Sequence, residues 1–356
     1  NYDPLALDEP ITSTIVDVRP GMKGPIAASL IVEYEISLPV GLKETGTLKR
    51  KGEASEAPAL VELKRSNKTV KHKITTEISL KANVPIVYFE TQFKNKATDH
   101  RLEVIFSVAD PLTETISENH YSLIRRPVAA KANLHPVYDE KAFVSLGHEG
   151  ALDRYPCQRF FIAHNQCFFN VGLPEYGAAG NQVSMTLLRA VSYLSRNRLR
   201  TRGGGAGPNI ATPGANSLGL NRISYAWAPI AETEHIAATA YGLAEIYENP
   251  LTAFVVPENE FDRMSFVEIE NHAIKMMASY IDEDNKLTLR LLNVTESTQI
   301  SKVLGTQEAT IHKLDGTLIK EAKEAGMVWG RPAFELEFQP FELITVKISS
   351  VEPSNS

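Results

Sequence analysis

Short runs of β-branched and aromatic residues, separated by polar and turn-prone stretches, constrain this chain more than any other feature. Residues 30–38 mix such residues with partial alternation, and Pro39 closes the run. Residues 70–80 alternate apolar and polar over their second half, as a half-buried antiparallel strand does. Residues 86–93 and 102–108 follow, and the polar separator Lys94-Asn95-Lys96-Ala97-Thr98-Asp99-His100 predicts a hairpin between them. Residues 159–171 read as another hairpin, turning at His164-Asn165. Many short strands with few crossover helices predict an antiparallel sandwich rather than an α/β fold.

One helix stands out. Ile236, Ala240, Leu243 and Tyr247 fall at helical spacing, Thr233 can cap the start and Pro250 stops it. Residues 183–199 leave helix and strand open: Leu187, Leu188, Val191 and Leu194 fit a helical face, while Ser184 and Thr186 suit a strand. A polar stretch with Pro257 marks a boundary near residues 254–266, and new strands are expected at 273–281, 287–293, 309–314 and 341–348. Residues 282–285 and Asp315-Gly316 supply their hairpin turns. Two domains are therefore expected, 1–257 and 258–356, the second a small sandwich with a frayed tail at 352–356. The length of 356 residues agrees with two domains.

Composition excludes some partners. A net charge of −6 argues against nucleic-acid binding, and no apolar run approaches the ~18 residues of a membrane span. The chain opens on Asn1-Tyr2-Asp3-Pro4 with no Met and no signal-peptide pattern, and reads as a piece of a longer protein. Cys157 and Cys167 are its two cysteines, expected as free thiols in a reducing compartment, with the cytoplasm as default.

Motifs for catalysis are missing from this segment. The nine histidines show no H-E-x-x-H, H-x-H or H-x-x-x-H spacing, so no metal site is expected here. There is no G-x-S-x-G elbow, P-loop or dinucleotide fingerprint, and Gly203-Gly204-Gly205-Ala206-Gly207 reads by itself as a flexible loop. Asp99, Asp153 and Glu175 read as turn, cap or surface residues. Residues 158–229 are unusual: five arginines between Arg189 and Arg202 lie beside that glycine-rich run.

The order Gly172-Leu173-Pro174-Glu175-Tyr176, Thr186-Leu187-Leu188-Arg189, Leu194-Ser195-Arg196 begins a run of motifs. It continues through Arg202-Gly203-Gly204-Gly205-Ala206-Gly207-Pro208, Thr212-Pro213-Gly214-Ala215-Asn216 and Tyr225-Ala226-Trp227-Ala228-Pro229. This run resembles the C-terminal half of glycoside hydrolase family 38, the retaining α-mannosidases, most of all the bacterial members. Asn95 to Val104 is similar to the family's N-x-A-x-D-H-R-L-R-V segment, departing at Glu103 where Arg is usual. Gly214 and Asn216 stand where Glu and Gln are commoner.

The resemblance implies an all-β fold: a large galactose-mutarotase-like β-supersandwich followed by a small C-terminal β-sandwich. It also implies that zinc and the catalytic carboxylates belong to an N-terminal catalytic barrel outside this segment. That barrel and a mannoside substrate are then the expected partners, and a homo-oligomer stays open. By local similarity Arg202, with Gly203 and Gly204, is the expected substrate-facing element of this half. Two other readings remain. A free-standing carbohydrate-binding β-sandwich would need exposed aromatics on one sheet face, which 8% aromatics do not suggest. A mutarotase-like epimerase would need a paired acid and base, for which His135, His148 and His164 are available.

Overall fold

The computed structural model describes residues 11–48, 60–128, 153–195, 207–208, 210–231, 236–255, 264–306, 308–348 and 354–355. The chain begins with β1 (Thr14–Lys23), β2 (Ala27–Pro39), β3 (Leu42–Leu48), β4 (Leu60–Arg65), β5 (Thr69–Lys81) and β6 (Val84–Asn95). Next come β7 (His100–Ser107), β8 (Glu114–Asn119), β9 (Ser122–Pro127), β10 (Arg154–Pro156), β11 (Phe160–Ala163) and β12 (Gln166–Phe169). β13 (Glu175–Ala179), β14 (Gln182–Ala190) and β15 (Gly219–Pro229) precede the helix α1 (Ile236–Glu248). The rest is β16 (Met264–Ser265), β17 (Glu268–Ile269), β18 (Ile274–Ile281), β19 (Leu287–Asn293), β20 (Gln299–Leu304) and β21 (Ala309–His312). β22 (Leu318–Glu321), β23 (Lys323–Val328), β24 (Arg331–Phe338), β25 (Leu343–Ile348) and β26 (Ser354–Asn355) end it. No helix among the described residues is long and apolar enough to cross a membrane.

The fold is the all-β sandwich that the strand pattern implies, divided into two compact units. The first unit holds residues 1–115, 126–159 and 168–229. In it, β1-β2-β5-β6-β15 run antiparallel in that order, and a second sheet has the order β10-β13-β14-β7. Between these sheets Ile36, Ile74, Phe93, Leu188 and Ala190 form a buried cluster, with Tyr34, Leu102 and Ile223 against it. Phe89 and Tyr225, directly paired across β6 and β15, stack with centroids 5.0 Å apart, and Phe106 meets Phe89 edge-on at 5.8 Å. Offset and edge contacts of this kind add to the burial of the rings.

Of residues 183–199, those up to Ala190 belong to the strand β14, and 196–199 lie outside the described residues. β14 is buried on both faces, and a bulge between Thr186 and Leu188 puts Leu187 and Leu188 both inside. That single extra residue breaks the alternation and mimics helical spacing.

The second unit holds residues 116–125, 160–167 and 230–356. Within it β8 and β11 pair at Phe161↔Ser117 and Ile162↔Ile116, and His164 takes a φ of 52° at the expected hairpin turn. The helix α1 buries Ala237, Ala240, Tyr241 and Ala244, with Tyr241 edge-on to Phe160 at 5.1 Å; Thr233, its expected cap, lies outside the described residues. The sheets β17-β20-β24-β23 and β18-β19-β25-β21-β22 enclose Leu289, Leu291, Val303, Phe334, Leu336, Phe338 and Val346. The tail expected to fray instead pairs Ser354 and Asn355 with Ser265 and Met264. Backbone pairing of two residues leaves no side-chain pattern for sequence reading to detect.

Phe334 is fully buried at the centre of this core. Phe334→Ala is expected to remove about 3–5 kcal/mol of stability, by lost transfer energy and a residual cavity. Amide hydrogen exchange in β19 and β25 measures it; protection equal to the parent's would show that the core closes over the gap.

Candidate functional site

The separator between β6 and β7 is where the motif residues meet. Asn95 folds its turn inward: its Oδ1 accepts from Ala97 N at 3.1 Å, and its Nδ2 donates to the Asn216 carbonyl at 2.8 Å. Asp99 then takes a φ of 53°, a left-handed conformation that Asp tolerates better than most side chains. Its N–H donates to Asn216 Oδ1 at 3.1 Å. Its carboxylate accepts from Ser192 N at 2.9 Å and Ser192 Oγ at 2.7 Å. Arg65 donates to its carbonyl. Asp99, expected at a turn or surface, is at a turn but buried.

Ser192 links this turn to the neck of the glycine-rich stretch. Thr212 N donates to the Ser192 carbonyl at 2.7 Å, Tyr193 bridges Ala211, and Ser195 Oγ donates to the Gly207 carbonyl at 3.0 Å. Asn216 Nδ2 closes the circuit on Ser192 Oγ at 3.3 Å. The two segments of chain on either side of residues 196–206 are thus held together by their own backbone and by Asp99, whose carboxylate takes Ser192 and whose N–H takes Asn216. Arg202, Gly203 and Gly204 themselves lie outside the described residues, as do His135 and His148.

A cavity of about 890 Å³ adjoins the turn, lined by Asp99, His100, Arg101, Tyr34, Thr91 and Tyr225 among others. A chain of hydroxyls runs along one wall: Thr76 Oγ1 to Thr91 Oγ1 at 2.9 Å, and Thr91 Oγ1 to Tyr225 Oη at 3.1 Å. Burial pushes the Tyr225 phenol up to about 12, so it stays protonated. Burial, helped by neighbouring His72, holds His100 at about 4, and its Nδ1 has no hydrogen-bond partner among the described residues. His72 is lowered by burial too; its Nδ1 faces the Val70 carbonyl at 3.2 Å and its Nε2 accepts from Lys96 N at 3.0 Å.

The charged lining residues are bound to one another. Arg154 extends along the row Arg154–Gly177–Ser184–Ile105, over two small residues, and grips Glu103 with Nε–Oε1 at 2.9 Å and Nη2–Oε2 at 3.1 Å. A Cβ on Gly177 would stand 2.7 Å from Arg154 Nη1, so only glycine leaves the passage open. Arg154 Nη1 also meets Asp153 at 2.9 Å. Glu175 accepts from Thr186 Oγ1 at 2.7 Å and lies 3.6 Å from Arg101. The lining thus combines a neutral imidazole, a protonated phenol and carboxylates engaged by arginines and hydroxyls. His164, on its hairpin turn, is exposed. Among the described residues no three His, Cys, Asp or Glu side chains are grouped to hold a metal.

Two outcomes are expected. Asp99→Ala leaves the Ser192 donors without their charged acceptor and should cost about 1.5–3 kcal/mol in thermal unfolding; an unchanged melting point would show that the carboxylate carries none of the clamp. Acid should also destabilise the chain. The unfolded His100 binds a proton near the ordinary imidazole value of 6.5 and the folded one only near 4. Stability is therefore full above pH ~6.5 and falls as pH drops towards 4, by roughly 3 kcal/mol from this group. Melting temperatures from pH 7.5 to 4.5 should fall more steeply in the parent than in His100→Gln.

No protein-family model matches the chain, and no curated protein matches it. Several solved structures are similar in fold, two of them from Enterococcus faecalis. A protein in glycosyl hydrolase family 38 from Enterococcus faecalis matches with TM-score 0.68 at 21% identity, over 95% of this chain and 36% of that one. An α-mannosidase from Enterococcus faecalis V583 matches with TM-score 0.64 at 19% identity, over 95% of this chain and 35% of that one. The chain shares their fold over the matched part, and spans just over a third of the length of either.

Proposed function

We propose that the chain is the C-terminal β-region of a retaining, zinc-dependent α-mannosidase of glycoside hydrolase family 38. In this reading it is non-catalytic, buttresses the catalytic barrel and lines its substrate cleft. One observation carries it: 95% of this chain follows about a third of two chains, one described as family 38 and the other as an α-mannosidase. The motif run from Gly172 to Pro229 supports the same assignment independently of the backbone.

Zinc, when bound in the complete enzyme, supplies a positive charge that orients the sugar and stabilises developing charge on oxygen. The described residues offer no ligand set for it, so the proposal places its ligands in the barrel. The nucleophile and the acid of a retaining mechanism are placed there as well. Asp99, Glu103 and Asp153 are held in structural contacts and are assigned no chemical role.

This chain's own contribution would be a wall and a loop. Register puts Val18, Leu30 and Leu80 on one face of the first unit, where each is about half exposed. We place the contact with the barrel there, since contiguous exposed apolar side chains mark an interaction surface. Arg202 would project from residues 196–206, whose ends the Asp99–Ser192 clamp fixes, and present its planar fork of donors to sugar hydroxyls. Gly203 and Gly204 would let backbone approach the ligand closely. Both cysteines are buried free thiols, which suits the cytoplasm as its compartment.

The test joins this chain to its catalytic part and follows aryl α-mannoside hydrolysis. The joined protein should turn over substrate, and this chain alone should show neither turnover nor stoichiometric zinc. Arg202→Ala should lower kcat/KM roughly ten- to a hundredfold, the loss of a charged hydrogen bond, while Arg200→Ala stays near the parent. Activity in this chain alone would overturn the non-catalytic role, and equal kinetics for the two variants would take the loop out of the cleft.

A further inference from the structure

The turn that carries Asp99 is anchored by one imidazole. His72 of β5 is only 2% exposed, and both of its ring nitrogens have backbone partners. Nδ1 stands 3.2 Å from the Val70 carbonyl oxygen, and Nε2 stands 3.0 Å from Lys96 N. A carbonyl can only accept, and a backbone N–H can only donate. The partners therefore fix one neutral tautomer, with the hydrogen on Nδ1 and the lone pair of Nε2 taking the Lys96 N–H. An imidazolium donates from both nitrogens. A proton on Nε2 would face the Lys96 N–H, donor against donor, and that bond could not survive.

The described surroundings offer the proton no better arrangement. On β2 the cross-strand neighbour of His72 is the apolar Ile36. From β7 the His100 ring lies 6.4 Å away, and Arg65 of β4 reaches the same turn through the Asp99 carbonyl. Lys96 is itself cationic, and its Nζ donates to the Lys71 carbonyl at 3.2 Å. Asp99 is the one carboxylate of this set, and each of its oxygens already takes a Ser192 donor. The Asn95 side chain is the neutral acceptor beside the ring, but its Oδ1 already takes Ala97 N. Turning that oxygen to an imidazolium would strip the turn of a second bond. The same turn holds Asn216 through Asn95 Nδ2 and Asp99 N, and Ser192 through the Asp99 carboxylate.

We propose that His72 is an acid-sensitive latch: a proton on Nε2 breaks its bond to Lys96, opens the turn 95–99 and releases Ser192 and Asn216 on either side of residues 196–206. The latch is shut at neutral pH, because burial holds both His72 and His100 below the ordinary imidazole value. The neutral ring is the one that fits, so closure is complete above pH ~6.5 and is lost as pH falls. The inference rests on contacts inside this chain and stands apart from the mannosidase reading.

Hydrogen exchange of the 356-residue chain between about pH 7.5 and 4.5, corrected for the intrinsic pH dependence of exchange, tests it. The amides of Lys96, Asp99, Ser192 and Thr212 should lose at least about tenfold of their protection over this range, while β2 and β19 keep theirs. His72→Gln, whose side-chain oxygen can accept the Lys96 N–H but takes up no proton, should keep that protection in acid. His100→Gln leaves the latch in place and should still lose it. Nitrogen-15 histidine NMR of the parent should show His72 with its hydrogen on Nδ1 at neutral pH, taking up a second proton where protection falls. That measurement carries the test if His72→Gln does not fold. Protection that is unchanged by acid, that falls equally in His72→Gln or that is rescued by His100→Gln instead overturns the proposal. So does loss of protection in β2 and β19 at the same pH, or a neutral His72 with its hydrogen on Nε2.

Discussion

One buried residue, Asp99, joins three segments that are distant in sequence. Asp99 accepts from both the backbone and the hydroxyl of Ser192, while its own N–H is taken by Asn216. Each partner is matched, so the group is stabilised where an unpaired charge would be expelled. The chemistry of the position is narrow. It needs a short side chain, tolerance of positive φ and two acceptor oxygens, and Asp alone supplies all three. Asn216 fits the same circuit because its amide both donates to Ser192 Oγ and accepts from Asp99 N. The position that departs from the family pattern is therefore integral to the clamp in this chain.

Glu103 yields to a similar argument. It faces Arg154, which reaches it across β13 and β14 only because Gly177 and Ser184 leave a low path. Arg101 is a second neighbour, 4.0 Å from the Glu103 carboxylate. An arginine at position 103 would meet two guanidinium groups in a partly buried row. Glu103 and Arg154 thus specify one another, and Gly177 is the third member of the set. A bidentate pair of this kind fixes orientation as well as energy.

The strands at residues 27–39, 69–81, 84–95 and 100–107 were legible because each alternates or is bounded by turn residues, and so was the helix near 236–248. β1 was not, since Pro20-Gly21 interrupts it and nearly every side chain along it is exposed. β15 contains the Tyr225 to Pro229 motif and drew attention as a motif, although its residues pair with β6 over nine positions. The motif run marked the right region of the chain. It could not say that Asn95, Asp99, Ser192 and Asn216 converge, because convergence depends on sheet order. Asp99 was legible as a turn residue and illegible as a buried acceptor.

Many of the described polar groups of the first unit are engaged by the architecture, with the His100 Nδ1 left without a hydrogen-bond partner among the described residues. Its carboxylates hold arginines, serines and backbone donors, its buried phenol is hydrogen-bonded to Thr91, and its buried imidazoles are kept neutral by their surroundings. Groups matched in this way hold their positions, since moving any of them would leave a buried donor or acceptor unsatisfied. Under the function proposed above, this rigidity would serve a wall of the substrate cleft, where a misplaced contact loses most of its value.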